Sequence, residues 1–413
     1  MKSTDTDILI IGGGITGLMC AASLQSQGRE CVLLEAGDRL GGRIRTEIHQ
    51  DFLLDVGFQV YLTSYENGLP FLMNSELGLG SFKPGAVFLD GDQIQCMGDP
   101  FRDPSSLSST LQCRSATLSD KWKIYKLSQR LKRTSDEILW NMPEFTTDQY
   151  LLNQGFSESI IEKFFRPFFG GVFLDDQLSV SSRLFEYLFK RFAMGLACLP
   201  AGGMQAIPQA LSRHIASDSI KLNTKAESLE NDSVVTAGGD QYSARKIVVA
   251  LDEPAACDLL NLPKNCESLS THVYYYSTRR KDVSNPSIFL NSSGAGPIQH
   301  LCFPSYVQRS YAPEGYHLVS VTLKPSELGR HYELSPKSVK HEAQKLLQLN
   351  YTDWEFLKSF RVPKALPMMK SIPGPGFRKW SENVWQAGDY LSFPSTNGAL
   401  LSGKMVANEL ASE

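Results

Sequence analysis

The feature that most restricts how this chain folds is a glycine pattern, GGGITGL, set between an apolar run and a helix-compatible one. Residues 7–11 read as a buried strand, residues 18–27 as a small-residue helix stopped by Gly28, and residues 31–35 as a second strand. Gly12, Gly14 and Gly17 fall in the GxGxxG spacing. In such a unit the first glycine permits the tight turn, the second lets phosphate oxygens reach the backbone, and the third lets helix and strand pack closely. The amides of Ile15 and Thr16 at the helix start add donors and the positive end of the helix dipole. Glu35 closes the next strand about twenty residues on, where a carboxylate recognises a ribose hydroxyl. The opening is therefore a dinucleotide-binding βαβ unit.

The next residues narrow the ligand. AGDRLGGRIRT supplies Ala36 and Arg39, a second glycine pair at Gly41 and Gly42, and then Arg43 and Arg45. Glycines there add backbone donors, and a guanidinium binds phosphate in a bidentate manner. A simple nicotinamide dehydrogenase needs no such extension. The plain alternative is a turn with solvated arginines.

Together, EAGDRLGGRIRT closely resembles the signature of the flavin-containing amine oxidoreductase superfamily, which includes monoamine and polyamine oxidases, protoporphyrinogen oxidase, phytoene desaturase-type enzymes and L-amino-acid oxidases. Three further stretches are similar. Asp55-Val56-Gly57, followed by Phe58, resembles the turn that closes over the flavin. LPAGGMQAIPQAL, residues 199–211, resembles the segment re-entering the cofactor domain. GDYLSFPSTNGALLSGKMVA, residues 388–407, resembles the C-terminal flavin motif. The resemblance implies that Gly388 and Asp389 meet the pyrophosphate and ribityl hydroxyls. It further implies that the helix starting near Asn397, Gly398 and Ala399 aims its positive end at the flavin pyrimidine edge, and that Ala226 lies against the adenine. The implied fold is α/β, a Rossmann-type (GR2-like) FAD-binding domain with a second, mixed-sheet substrate domain and a helical insertion. FAD is expected to be non-covalent, because no cysteine follows Cys302 to form a flavin bond.

At 413 residues the chain should hold about two to three domains. The expected cofactor domain is discontinuous (1–80, 200–265 and 376–413), and the substrate domain takes 81–199, largely helical, with 266–375. Residues 103–119 read as a polar loop, and residues 121–140 as one helix. A net charge of −3 argues against a nucleic-acid binder. Eight dispersed cysteines with no CxxC pair, no signal peptide and no long apolar run point to a cytoplasmic protein of reduced thiols. No histidine spacing suggests a metal, and His214, His272 and His317 are expected to be structural.

The branch of the superfamily is read from two regions. Amine oxidases of this kind place a lysine near the flavin on a strand corresponding to residues 269–276, and LSTHVYYY has none. FFRPFFGGVFLDDQLSVSS, residues 164–182, is similar to segments of protoporphyrinogen oxidases and desaturase-like proteins. Gly170 and Gly171 would let a flat apolar substrate approach the backbone, with Phe164, Phe165, Phe168, Phe169 and Phe173 around it. Arg166 would pair with a substrate carboxylate or join a structural ion pair. The expected activity is oxidation of an apolar or conjugated molecule, with dioxygen or a quinone as final acceptor. Alternatives are amine oxidation, or a non-catalytic lipid-carrying role like that of Rab escort and GDP-dissociation-inhibitor proteins. The lysine-rich helix of residues 121–140 could also rest on a membrane surface.

Overall fold

The glycine unit folds as strand Ser3–Ile11, helix Ile15–Ser26 and strand Cys31–Leu34, the two strands lying parallel. The computed structural model describes residues 3–230, 233–264, 267–281, 283, 285–327, 334–349, 353–372 and 374–412. Ser3–Ile11 is the centre of a sheet that runs Ile220–Lys221, Cys31–Leu34, Ser3–Ile11, Gln241–Val249, Ser233–Thr236, Ala226–Glu230. Val384–Gln386 joins parallel to the end of Gln241–Val249 and carries Arg378–Lys379 outside it. Near-continuous apolar runs such as Ile8–Ile11 and Ile247–Val249 fit a sheet covered on both faces. Helix Thr396–Ser412 packs beside Ile15–Ser26. A Cβ on Gly403 would lie 2.3 Å from the Thr16 carbonyl, so close approach of these helices depends on that glycine.

A second sheet of seven strands runs Glu355–Pro367, Ser268–Thr278, His317–Leu323, Ile298–Cys302, Ile288–Asn291, Gly85–Asp90, Gln93–Gly98. Only the Ile288–Asn291 and Gly85–Asp90 pair is parallel. Helices of residues 104–194 enclose a third core, rich in aromatic rings from Phe156 to Phe189.

Two readings of the sequence need correction, and one strand went unread. Residues 103–119 are not a loop: Asp103 caps a short 3₁₀ turn, Leu107–Gln112 is helical, and Thr117 opens the next helix through a reciprocal capping box with Asp120. The expected single helix of 121–140 is two, Leu118–Arg133 and Asp136–Trp140. Thr134 is extended, and the Ser135 hydroxyl accepts from the Ile138 amide to start the second. The thirteen-residue strand Glu355–Pro367 was not foreseen, because Pro363 and Pro367 mark against a strand. It is an edge strand, paired on one side only, where a missing N–H is tolerated.

The seven described cysteines are free thiols, and Cys266 lies outside the described residues. His214, His272 and His317 pack against Phe71, Tyr274 and Tyr306 respectively. Among the described residues no helix is long and apolar enough to cross a membrane, and no cluster of metal-ligating side chains occurs.

Candidate cofactor and substrate site

One cavity of about 930 Å³ runs from the glycine turn to the helical insertion. Its narrow end is backbone. Gly12, Gly14, Ile15, Thr16 and Glu35 line it, faced by Gly41, Gly42 and Arg43. The three motif glycines meet different surroundings. A Cβ on Gly12 would sit 2.5 Å from the Ala250 carbonyl, and on Gly17 1.9 Å from the Gly12 carbonyl, so both are closed by packing. Nothing lies within 4 Å of a Cβ position at Gly14. That free space stands at the start of helix Ile15–Ser26, where unpaired amides point outward, and it is the cradle a phosphate needs.

Glu35 is fixed by two backbone donors, Gly13 N at 2.8 Å and Gly37 N at 2.7 Å. Gly13 carries no side chain because one would strike this carboxylate, a constraint that GxGxxG spacing alone does not announce. The second glycine turn locks onto the first: the Gly41 amide donates to the Gly13 carbonyl at 2.8 Å, and Gly42 packs on Gly14. Arg43 then reaches across to the far end of the chain. It donates to Asp389 at 2.7 Å and to the Ala365 carbonyl at 3.0 Å. The motifs near the two termini are thus joined by an ion pair at the rim of a single cavity. Gly388, Asp389 and Ala399 line that same region.

Gly57 and Phe58 form the next stretch of wall. Asp55 behind them is buried and accepts from Thr46 Oγ1 at 2.6 Å, Tyr311 OH at 2.7 Å and Met204 N at 3.0 Å. The last donor explains the re-entry segment, since residues 200–204 turn so that Met204 can pin this carboxyl. Burial outweighs these donors and pushes Asp55 up to about 6.

The inner end is made of side chains: Phe58, Phe82, Phe168, Phe169, Phe189 and Phe192, with Thr271 and His300 among them. Thr271 comes from strand Ser268–Thr278, which carries no lysine. The mouth is lined by Phe101, Leu107, Leu118, Trp122 and Tyr125, with Lys121 and Lys132 beside them.

Several expected site residues lie elsewhere. Arg166 does not face the cavity. Asp148 at 2.6 Å, Glu162 at 2.8 Å and the Asp176 carbonyl at 2.9 Å take up its guanidinium, so it is a structural ion pair. Phe165 is fully buried among Phe156, Phe164, Phe169 and Phe185 and also stays away from the wall. A one-turn π-bulge at Ile161–Phe165 sets the facing of these rings, which 3.6-residue counting does not anticipate. Gly170 packs near Gln299 and Asp176. Gly171 is at the wall, but the space above it is taken by the His300 imidazole, 3.0 Å from a Cβ position. Phe169 lines the cavity. Ala226 sits in the outer ribbon opposite Thr236, and Ala36 and Arg39 are not part of the wall, Arg39 pairing with Asp38 on the surface. Gly17, Asn397 and Gly398 form a second layer. A Cβ on Gly398 would lie 2.0 Å from the Phe393 carbonyl, and the Asn397 side chain donates to Tyr187.

His300 and the rings at Phe82, Phe189 and Phe192 went unnoticed in the sequence. The one available signal was a histidine inside the apolar strand IQHLC.

A family model described as flavin containing amine oxidoreductase matches residues 15–411. Among curated proteins, amine oxidase B of Sus scrofa is 33% identical over 103 residues, covering 25% of this chain and 19% of that protein. A possible lysine-specific histone demethylase 1 of Drosophila melanogaster is 39% identical over 72 residues, covering 17% of this chain and 8% of that one. These matches therefore span less than a fifth of the relatives' own length. Solved structures agree in fold over nearly the whole chain. An oxidoreductase from Methanosarcina mazei has a TM-score of 0.74 at 18% identity, covering 98% of this chain and 100% of its own. A cyclohexylamine oxidase from Brevibacterium oxydans gives 0.71 at 17%, covering 99% of both. A protein assigned provisionally as a protoporphyrinogen oxidase, from Exiguobacterium sp. 255-15, gives 0.69 at 16%, covering 98% of both. The chain belongs to the flavin-containing amine oxidoreductase family.

Proposed function

We propose that this protein dehydrogenates a flat, apolar or conjugated small molecule, of the kind handled by desaturases or protoporphyrinogen oxidases. Bound FAD would supply the two-electron acceptor, with dioxygen or a quinone reoxidising it. The single observation that carries this reading is the continuity of one cavity, from a backbone cradle at Gly14 to a wall of phenylalanine rings.

In this reading Gly14 and the amides of Ile15 and Thr16 hold the pyrophosphate, and Glu35 holds a ribose. Gly388 and Asp389 meet the opposite side, with Arg43 orienting Asp389. The start of helix Thr396–Ser412, beside Ala399, would stabilise the negative charge that gathers on the reduced cofactor. The stretches 1–80, 200–265 and 376–413 then act as the cofactor-binding unit, and the rest as the substrate unit. The rings orient the substrate and exclude water, and the cofactor carries the chemistry. The mouth supports supply from a membrane surface: Phe101, Leu118 and Trp122 are 76%, 70% and 55% exposed there, next to Lys121 and Lys132.

Amine oxidation is the second reading, favoured by the relatives that carry that name. Lys121 and Lys132 at the mouth repel an ammonium group, whereas the ring faces of the inner wall could hold one, so the test below decides. A lipid carrier without flavin chemistry would have no use for the open space at Gly14. Anaerobic mixing with a porphyrinogen, a carotene precursor and a set of amines tests the choice. Bleaching of the flavin absorbance by the first or second is expected. Bleaching by amines alone would replace this proposal with the second reading.

A further inference from the structure

The cavity changes electrical character between its two ends. At the nucleotide end Glu35, Asp252 and Asp389 line the wall against Arg43. At the mouth the charged lining residues are Lys83, Arg102, Lys121 and Lys132 against one carboxylate, Asp99. Three of these cations belong to one rim. The Phe101 and Tyr125 rings stack with centres 5.0 Å apart, which ties the segment carrying Arg102 to helix Leu118–Arg133. On that helix Lys121, Tyr125 and Lys132 share a face, and the two lysines stand about 16 Å apart along the axis. The acidic residue of the same helix, Asp120, is turned into contacts with Thr117 and Ser157. Arg102 donates to the Phe192 carbonyl at 2.9 Å and the Gly195 carbonyl at 2.6 Å, and Lys121 to the Leu111 and Cys113 carbonyls at 3.1 and 2.8 Å. These carbonyls end two helices, so they hold the side chains in place and leave the positive charge uncompensated. Among the described residues no carboxylate pairs with Arg102, Lys121 or Lys132.

We propose that the substrate is an apolar acid, bound with its flat body among the phenylalanine rings and its carboxylate at the rim formed by Arg102, Lys121 and Lys132. This reading rests on the proposed function and adds a charged end to its substrate class. Arg166 cannot make that contact, because Asp148 and Glu162 hold its guanidinium. Arg102 can, since a guanidinium has more donors than two carbonyls take up. Half-buried cations beside an apolar wall are screened less than fully solvated ones, so an anion gains more here than at an open surface. Anionic lipid head groups would meet the same cations, and the experiment separates the two sources.

The test uses the FAD-loaded protein and fluorescent probes that share one ring system: 1-pyrenebutyrate, 1-pyrenebutanol and 1-pyrenebutylamine. Fluorescence titration in vesicle-free buffer reads their affinities. Rings alone would favour the alcohol, because a carboxylate is the better hydrated group. With the rim in play the butyrate should bind about fivefold more tightly than the alcohol, and the amine most weakly. Lys132→Gln should cut the butyrate preference about twofold, and Lys132→Arg should keep it. Lys121→Gln combined with Lys132→Gln, or about 0.5 M sodium chloride, should bring the ratio near one. Equal affinities in the native protein, tighter binding of the amine, failure of every probe to bind, or a ratio untouched by the glutamine variants overturns the proposal. So does a loss of co-sedimentation with phosphatidylglycerol vesicles in those variants while the probe ratio holds, which assigns the cations to lipid. Bleaching of the flavin by amines alone breaks the proposed function instead, and the butyrate-to-alcohol ratio still decides whether the rim selects an acid.

Discussion

The two ends of the cavity are built from different materials. At the nucleotide end the wall is main chain, and its shape depends on side chains that are missing. At the inner end the wall is side chain, and its shape depends on rings packed against one another. A backbone wall can be written in a short local motif, because three glycines and a helix start suffice. A ring wall has to be assembled from segments 82, 168, 189 and 300 residues along the chain, each pointed inward by its own helix or strand.

Substitutions should separate the two ends. Gly17→Val forces a side chain into a carbonyl 1.9 Å from its Cβ, so a loss of about 3 kcal/mol or more in urea unfolding is expected. Gly14→Val meets no protein atom, so this variant should keep native stability and lose FAD by at least about tenfold in affinity, seen as colourless purified protein. Stoichiometric FAD in that variant would move the phosphates elsewhere. Phe169→Ala, at a residue 1% exposed, edge-on to Phe185 and stacked with Phe189, should cost about 3 kcal/mol yet retain FAD. Loss of FAD there would dissolve the distinction between the ends. At the mouth, the pair Phe101→Ser with Leu118→Ser should lower co-sedimentation with anionic phosphatidylglycerol vesicles by about tenfold. A native protein that ignores such vesicles refutes the membrane part of the proposal.

The smallest effect concerns pH. Asp55 is raised from 3.8 to about 6, so between those values the folded chain holds a proton the unfolded chain has released, which stabilises the fold as pH falls. His300 is lowered from 6.5 to about 3, so there the unfolded chain gains the proton, and stability is lost as pH falls. The two oppose each other over the same interval. Asp55→Asn removes the first and leaves the second. Its stability should therefore fall more steeply than the native protein's between about pH 6 and 4, by up to about 1.4 kcal/mol per pH unit. Parallel slopes for the two proteins in urea titrations would show that Asp55 stays ionised in the fold.

Local chemistry was legible in the linear chain. The GGGITGL turn, the answering Glu35 and the second glycine pair are read by spacing alone, since each acts within one βαβ unit whose geometry neighbouring residues impose. Family, fold class and FAD followed from those stretches. What stayed hidden was set by contacts between distant segments. Arg166 could be read as a substrate partner or a structural ion pair, because Asp148 becomes its partner only when the helices fold together. Glu355–Pro367 gives a weak strand signal because of its prolines, which only an edge position in the assembled sheet tolerates. His300 drew no reading from the linear chain, because its place at the wall depends on strand pairing and on Gly171 leaving room for its ring. Spacing along the chain can specify a phosphate cradle, since backbone amides carry the same donors everywhere. Tertiary packing alone decides which side chains face the substrate, since facing depends on register, a π-bulge and the company of residues far away in sequence.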